Sequence, residues 1–338
     1  MINESLNRCF ELPFDELYPL FDDAYRISRV RFSDQIFFYA PGFIHYDTPF
    51  YRAVNKWRFP SVSVTGTGCQ LQCEHCKGKL LETMIPATTP EMLREVCTRI
   101  MDKGGKGLLV SGGATSDGGV PLQKFVSAMG WAKEELGLDI VVHTGLVEPV
   151  LAAALTDINI DAVMLDIIGS EKTISRIYHM DLTVEAYDKS LYILEEHDIP
   201  IVPHVVVGLH YGRLEGERRA LEILSGHNLA AVVVVAFMPL EGTPMDDITP
   251  SSPEEITRVV LASRLAMPEI PIILGCARPR GEHKARTDVL AIKAGVNGIA
   301  YPSEKGYDHA RERGLGIRFS DECCSLLFRD IMASIGGH

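Results

Sequence analysis

From residue 61 onward, eight short apolar runs alternate with helical stretches, and no other feature constrains the fold of this chain as strongly. The runs are Ser61–Gly66, Gly107–Gly112, Ile140–Thr144, Ala162–Ile167, Ile201–Gly208, Ala231–Met238, Pro271–Gly275 and Gly298–Tyr301. Most are continuous in Val, Ile and Leu, the pattern of parallel strands covered on both faces. Helix starts are legible between them. Thr88-Thr89-Pro90-Glu91 sets a capping residue, an early proline and a first-turn acid before Met92–Met101, and Ser252-Pro253-Glu254-Glu255 does the same before Ile256–Ala266. Eight such units predict an α/β fold, a (βα)8 TIM-type barrel, with a partial (βα)6 barrel carrying two appended units as the alternative.

Residues 1–60 and 306–338 fall outside the repeat, which divides the chain into an N-terminal extension, a barrel over residues 61–305 and a C-terminal segment. The extension holds an acidic helix candidate around Pro13–Ile27 and an aromatic-rich stretch, Phe37 to Tyr46, expected to be core that packs on or caps the barrel.

A chain of 338 residues can bury a large core, and 46% apolar with 23% charged residues is ordinary for a soluble enzyme. Net charge is −12 with no Lys/Arg block, which argues against nucleic acid or an anionic membrane as the main partner. The longest apolar run, Ala230–Leu240, is far short of the roughly 18 residues of a membrane span. No signal-peptide pattern is visible, and eight cysteines, three of them clustered, suit metal ligands in a reducing compartment better than a disulfide framework. The cytoplasm is the expected location.

The clustered cysteines, Cys69, Cys73 and Cys76, follow the first strand at C-x3-C-x2-C spacing. Three thiols so spaced can converge on one iron–sulfur cluster and leave one iron without a protein ligand; reactive metal sites keep such a position open. Catalytic groups of a barrel gather at the C-terminal strand ends. There the sequence places Gly112-Gly113, His143, Asp166, Gly208-Leu209-His210, Pro239–Pro244 and Cys276-Ala277-Arg278. A non-enzymatic protein with a closed zinc site of the three cysteines and His75 is the competing reading. The glycine pair and the polar strand ends argue against it, because a structural zinc needs neither.

The cysteine loop after the first strand, with Gly-Gly after the second, resembles the radical S-adenosylmethionine (SAM) superfamily. The resemblance implies that Cys69, Cys73 and Cys76 hold a [4Fe–4S] cluster whose open iron is chelated by SAM. It also implies that Gly112 and Gly113 meet the methionine amino group, that Gly208 ends a fifth-strand motif beside the adenine, and that Asp166 contacts the ribose. His75 stands where many members carry an aromatic residue near the adenine. The implied chemistry is one-electron cleavage of SAM to a 5′-deoxyadenosyl radical that abstracts hydrogen from an unactivated carbon, with ferredoxin or flavodoxin as electron donor.

Within the superfamily, Pro-x-x-Gly-Thr-Pro at Pro239–Pro244 resembles the biotin synthase branch. Tyr39-Ala40-Pro41, the Cys69–Gly78 loop, Leu274–Gly281 and Cys323-Cys324 resemble proteins once labelled biotin synthase homologues, some of which form one half of a two-protein lipoyl synthase. That likeness implies sulfur insertion into an octanoyl chain on a lipoyl carrier protein, with a second radical SAM subunit as partner. It further implies an auxiliary iron–sulfur cluster as sulfur source, for which Cys276, Cys323, Cys324 and Cys9 are the candidate ligands and Arg278 a neighbour of interest. The chain lacks the N-terminal three-cysteine motif and terminal Arg-Ser-x-Ser of single-chain lipoyl synthases. Cys97 falls on the apolar stripe of a capped helix and reads as core. His143, His204 and His210 read as structural histidines, His143 being the best placed for function. Arg278 and Arg280 suit either a carboxylate or phosphate ligand or a surface pairing.

Overall fold

The computed structural model describes residues 2–41, 46–53 and 55–335, and among them eleven strands. These are β1 (Gln35–Tyr39), β2 (Ser61–Ser63), β3 (Ile85–Pro86), β4 (Gly107–Ser111), β5 (Asp139–His143), β6 (Ala162–Met164), β7 (His204–Val207), β8 (Val232–Ala236), β9 (Ile272–Leu274), β10 (Gly298–Ala300) and β11 (Gly316–Ser320). β2, β4 and β6–β10 fall within the apolar runs, and β5 begins one residue before its run. All ladders between these strands are parallel, in two sheets ordered β3-β2-β4-β5-β6 and β11-β1-β10-β9-β8-β7. Parallel bridges Val163–Ile201 and Asp166–His204 join the sheets between β6 and β7, so the repeats follow one another around a curved, barrel-like wall.

The N-terminal extension packs on the barrel, but its aromatic run does more than cap it. β1 stands beside β10, with Phe38 opposite Ile299, and β11 pairs along its other edge. Phe37, Phe38 and Tyr39 are buried, so they are core. Gly42, Phe43, Ile44 and His45 of the same stretch lie outside the described residues. Instead of one acidic helix around Pro13–Ile27, the extension forms helices Ile2–Glu11 and Tyr18–Arg31 joined by a 3-10 turn.

The capping signals read from the sequence operate as expected. The Met92 amide donates to Thr89 Oγ1 (3.3 Å), starting helix Pro90–Asp102. Ser252 and Glu255 form a reciprocal capping box before helix Pro253–Ala266.

Alternation along each strand sorts side chains onto two faces. Ile140 and Val142 of β5, and Val232 and Val234 of β8, pack in the layer beneath the helices. Val141, Met164, Val233, Val235 and Ile273 pack inside the wall, and there they meet Cys323, Cys324, Leu326, Leu327 and Ile331. The C-terminal segment therefore fills part of the barrel interior, which in this architecture is packed rather than hollow. Arg329 fastens it to the start of the wall, through Asp139 (3.0 Å) and Asp161 (2.6 Å).

Candidate active site

The loop after β2 is built of tight turns. Gln72, Lys77, Gly66 and Gly78 all take positive φ, and the amides of Cys76 and Lys77 both donate to the Cys73 carbonyl, at 3.2 and 2.9 Å. These turns bring the three thiols to one cavity of about 150 Å³ at the C-terminal ends of the strands, lined also by His75, Gly112, His143, Asp166, Tyr178 and Tyr187. Five predicted groups (the cysteines, His75, Gly112, His143 and Asp166) thus converge. Tyr178 and Tyr187 were not legible as site residues, since nothing in their local sequence marks them. Burial pushes both phenols above their ordinary range, so they present neutral rings to the cavity.

The paired glycines divide their work. Gly112 faces the cavity, and a side chain there would come no closer than 3.1 Å to any neighbour. At Gly113 an added Cβ would lie 2.0 Å from the Gly68 carbonyl oxygen and 2.6 Å from Cys69 Cα, so only glycine lets β4 brace the cysteine loop. Its amide donates to Thr65 Oγ1 at 2.7 Å. Gly208 does not line this cavity. Its φ of +74° belongs to the turn after β7, a Cβ would meet Ser251 Oγ at 2.2 Å, and its amide donates to Glu217 Oε1 at 2.8 Å.

Electrostatics favour unequal protonation of the thiols. The hydrogen bond between Cys73 and Cys76 pushes Cys73 up and holds Cys76 low. Opposite them, His143 Nε2 lies 3.5 Å from Asp166 Oδ1. Burial disfavours charge on both, but their mutual hydrogen bond outweighs it, raising His143 and lowering Asp166. His75 packs tilted against Tyr178, ring centroids 5.5 Å apart, and its Nδ1 is buried without a hydrogen-bond partner among the described residues.

Three of the four proposed auxiliary cysteines share the lumen. Cys323 Sγ lies 3.8 Å from Cys324 Sγ, which lies 3.8 Å from His204 Nε2. Their pairing lowers Cys323 and raises Cys324. Cys276, just past β9, is solvent-accessible yet ringed by protein; burial and the neighbouring Cys323 push its thiol up. His204 stands with its ring centroid 6.0 Å from that of His143, linking this group to the first cavity. Cys9 is a correction. It sits in helix Ile2–Glu11, in the layer outside the wall, where its carbonyl accepts a hydrogen bond from Arg258 and burial pushes its thiol up to about 12. Arg278 is a second. Rather than meeting a ligand or the surface, it is buried, donating to Asp288 (3.0 Å) and to the carbonyls of Gly275 (2.5 Å) and Ala300 (2.6 Å).

The donor set fits a cluster and not a single ion. Among the described residues no three His, Cys, Asp or Glu side chains gather closely enough to hold one metal ion, so the closed zinc site with His75 is not formed. A tetrahedral zinc needs every donor within about 2.3 Å of one point, whereas a cluster spreads its thiolates over separate irons. The glycine cradle and the unpartnered His75 Nδ1 leave room and a polar contact for a ligand beside the thiols.

Residues 234–320 match the biotin and thiamin synthesis associated domain. The biotin synthase of Synechococcus sp. (strain RCC307) is 24% identical over 269 residues, 71% of this chain and 75% of that protein. That of Prochlorococcus marinus (strain MIT 9303) is 23% identical over 264 residues, covering 71% and 73%. The chain is similar to biotin synthases over about seven-tenths of its length. Its fold is shared with two solved structures. Methylornithine synthase superposes with a TM-score of 0.64 at 16% identity, covering 98% of this chain and 96% of its own. HydG, a maturase of the [FeFe]-hydrogenase, gives 0.64 at 13%, covering 99% and 83%. No helix among the described residues of this biotin synthase-like chain is long and apolar enough to cross a membrane.

Proposed function

We propose that this radical SAM enzyme inserts sulfur into a carrier-bound octanoyl chain, as one half of a two-protein lipoyl synthase. The observation that carries the reading is the presence of two separate thiol groups, Cys69/Cys73/Cys76 and Cys276/Cys323/Cys324, facing one barrel interior. Bound at the first group, a [4Fe–4S] cluster and SAM would supply the radical that abstracts hydrogen. The chain's own residues do the rest. Cys69, Cys73 and Cys76 would hold the cluster through their thiolates, Gly112 would let a ligand approach the backbone, and Tyr178 and His75 line the same cavity. The His143–Asp166 pair holds a proton at Nε2, beside the cavity. Leu71, Val120, Leu146 and Met180 give the cavity beside the thiols an apolar side that suits an aliphatic chain.

In this reading the second thiol group holds a sulfur-donating auxiliary cluster, and an octanoylated lipoyl carrier protein, a second radical SAM subunit and ferredoxin or flavodoxin are the partners. The test is an assay with an octanoylated lysyl peptide, run with and without a candidate partner subunit and read by mass. Addition of sulfur supports the reading. SAM cleavage without sulfur transfer in either arm contradicts it and leaves a rearrangement or cofactor-maturation reaction of the same branch.

A further inference from the structure

The wall has a seam. Its two sheets meet between β6 and β7, whereas β3 ends one sheet and β11 the other, with no ladder between those two strands among the described residues. A groove of about 520 Å³ lies beside the β3 edge. Pro60, which precedes β2, and Ile85 of β3 line it, as does Arg280, which comes from the other sheet's side in the turn after β9. We propose that this groove binds an aliphatic chain ending in an anionic head, at a ligand site separate from the thiol cavity. The inference stands whether or not the enzyme inserts sulfur.

Three observations carry it. The groove has an apolar side, formed by Trp57, Pro60, Leu80 and Ile85, and Leu80 is left 52% exposed there. Its only charged lining residues are Lys56 and Arg280, and neither makes an ion pair among the described residues. A chain with 45 acidic residues against 33 basic ones could readily neutralise two cations, yet no acid lines this groove. Lys103 adds a third positive charge, its Nζ lying 5.7 Å from the centroid of the Trp57 ring. Finally, the groove is preformed. The Trp57 amide donates to Asn55 Oδ1 at 2.9 Å, Asn55 Nδ2 donates to the Lys103 carbonyl at 3.0 Å, and Arg58 is paired with Asp321 at 2.6 Å. Ile85 is held by its pairing with Val62 of β2. An apolar body with a few placed polar groups is the usual make-up of a small-molecule site.

Other ligands fit less well. The thiol cavity, at about 150 Å³, shares no lining residue with the groove, so the groove is not an arm of the SAM site. A neutral or cationic chain would cover the apolar side and leave Lys56 and Arg280 without a counter-charge. Two cations are too few for a nucleic-acid surface, which neutralises many phosphates. A guanidinium pairs with carboxylate and phosphate oxygens alike, so the shared chemistry is an anion on an aliphatic chain, and the test separates the two heads.

The chain has two tryptophans, so full-length protein carrying Trp131→Phe reports on the groove through Trp57 alone. Its emission is titrated with octanoate, octyl phosphate, octylamine and butyrate, all below their micellar concentrations. The proposal predicts saturable binding of octanoate or octyl phosphate, about tenfold or more tighter than octylamine and than butyrate, and the tighter of the two names the head. Lys56→Met/Arg280→Met should weaken that binding about tenfold or more, whereas the charge-keeping Lys56→Arg/Arg280→Lys should retain most of it. Iron bound at Cys69, Cys73 and Cys76 should be the same in both variants, which separates this site from the thiol cavity. Octylamine or butyrate binding as tightly as the anions, or anion binding unchanged in Lys56→Met/Arg280→Met, overturns the proposal. The measurement needs neither cluster nor SAM, so its outcome is distinct from that of the sulfur-insertion assay.

Discussion

At the scale of single residues, Gly112 and Gly113 look alike in sequence but make opposite demands. A methyl group at Gly113 would collide with backbone of the cysteine loop, which cannot yield as a side chain can. Gly113→Ala should therefore lose more than half of the iron bound at Cys69, Cys73 and Cys76, whereas Gly112→Ala should keep the iron and weaken SAM binding. Iron analysis and SAM titration of the two variants check this, and equal iron loss would contradict it. Glu217 offers a test of pH dependence. Burial raises its carboxyl to about 7 from an ordinary 4.5. Between those values the native state holds a proton that the unfolded chain has released, so stability falls as pH rises through the window, by up to ~3 kcal/mol. Glu217→Gln keeps the acceptor for the Gly208 amide and should flatten that slope in denaturant unfolding at pH 5 and pH 7.5. An unchanged slope would contradict it. The contiguous C-x3-C-x2-C and Gly-Gly motifs were legible because their chemistry lies within a few residues. Gly208 was misplaced because a glycine after a strand looks the same whether a ligand or a turn requires it. Cys9 was misplaced because proximity of the two chain ends is a tertiary fact that no local pattern encodes.

Among the elements, the eight wall strands could be read because both faces of each are covered, which leaves unbroken Val/Ile/Leu runs. β11 escaped because it is an edge strand whose exposure alternates, and β3 because two residues leave no pattern. β1 was seen as an aromatic run but not as a strand, since its partners β10 and β11 lie more than 250 residues away. The element best tested is the turn from β9 into helix Glu282–Lys293. Arg278 pins it by joining the β9 and β10 ends to Asp288, both side chains buried and the Asp288 carboxylate also accepting from the Ser303 amide at 2.7 Å. Arg278→Met strands a buried carboxylate and should cost about 3–5 kcal/mol in denaturant unfolding, part of which Asp288→Leu in the same chain should restore. A loss below about 1 kcal/mol would show the pair to be dispensable.

For the whole molecule, the decisive arrangement is a wall of parallel strands whose C-terminal mouth holds three thiols and whose interior is closed by the chain's own C-terminal segment. The barrel class was legible from the repeat, but the plug was not. Residues 306–338 stood out only as a segment beyond the repeat with a cysteine pair, and nothing local in them marks Leu326, Leu327 and Ile331 as partners of the wall's inner face. Two thiol groups in one interior predict about eight irons per chain, falling to about four when Cys69, Cys73 and Cys76 are replaced by alanine. Four in the wild type would remove the basis for sulfur insertion. The most direct test of the central claim, an iron left open beside Cys69, Cys73 and Cys76, is electron paramagnetic resonance of the anaerobically reduced cluster, recorded before and after SAM is added. The account predicts that SAM shifts the spectrum and that 5′-deoxyadenosine accumulates on reduction. A spectrum indifferent to SAM, with no nucleoside formed, would contradict it.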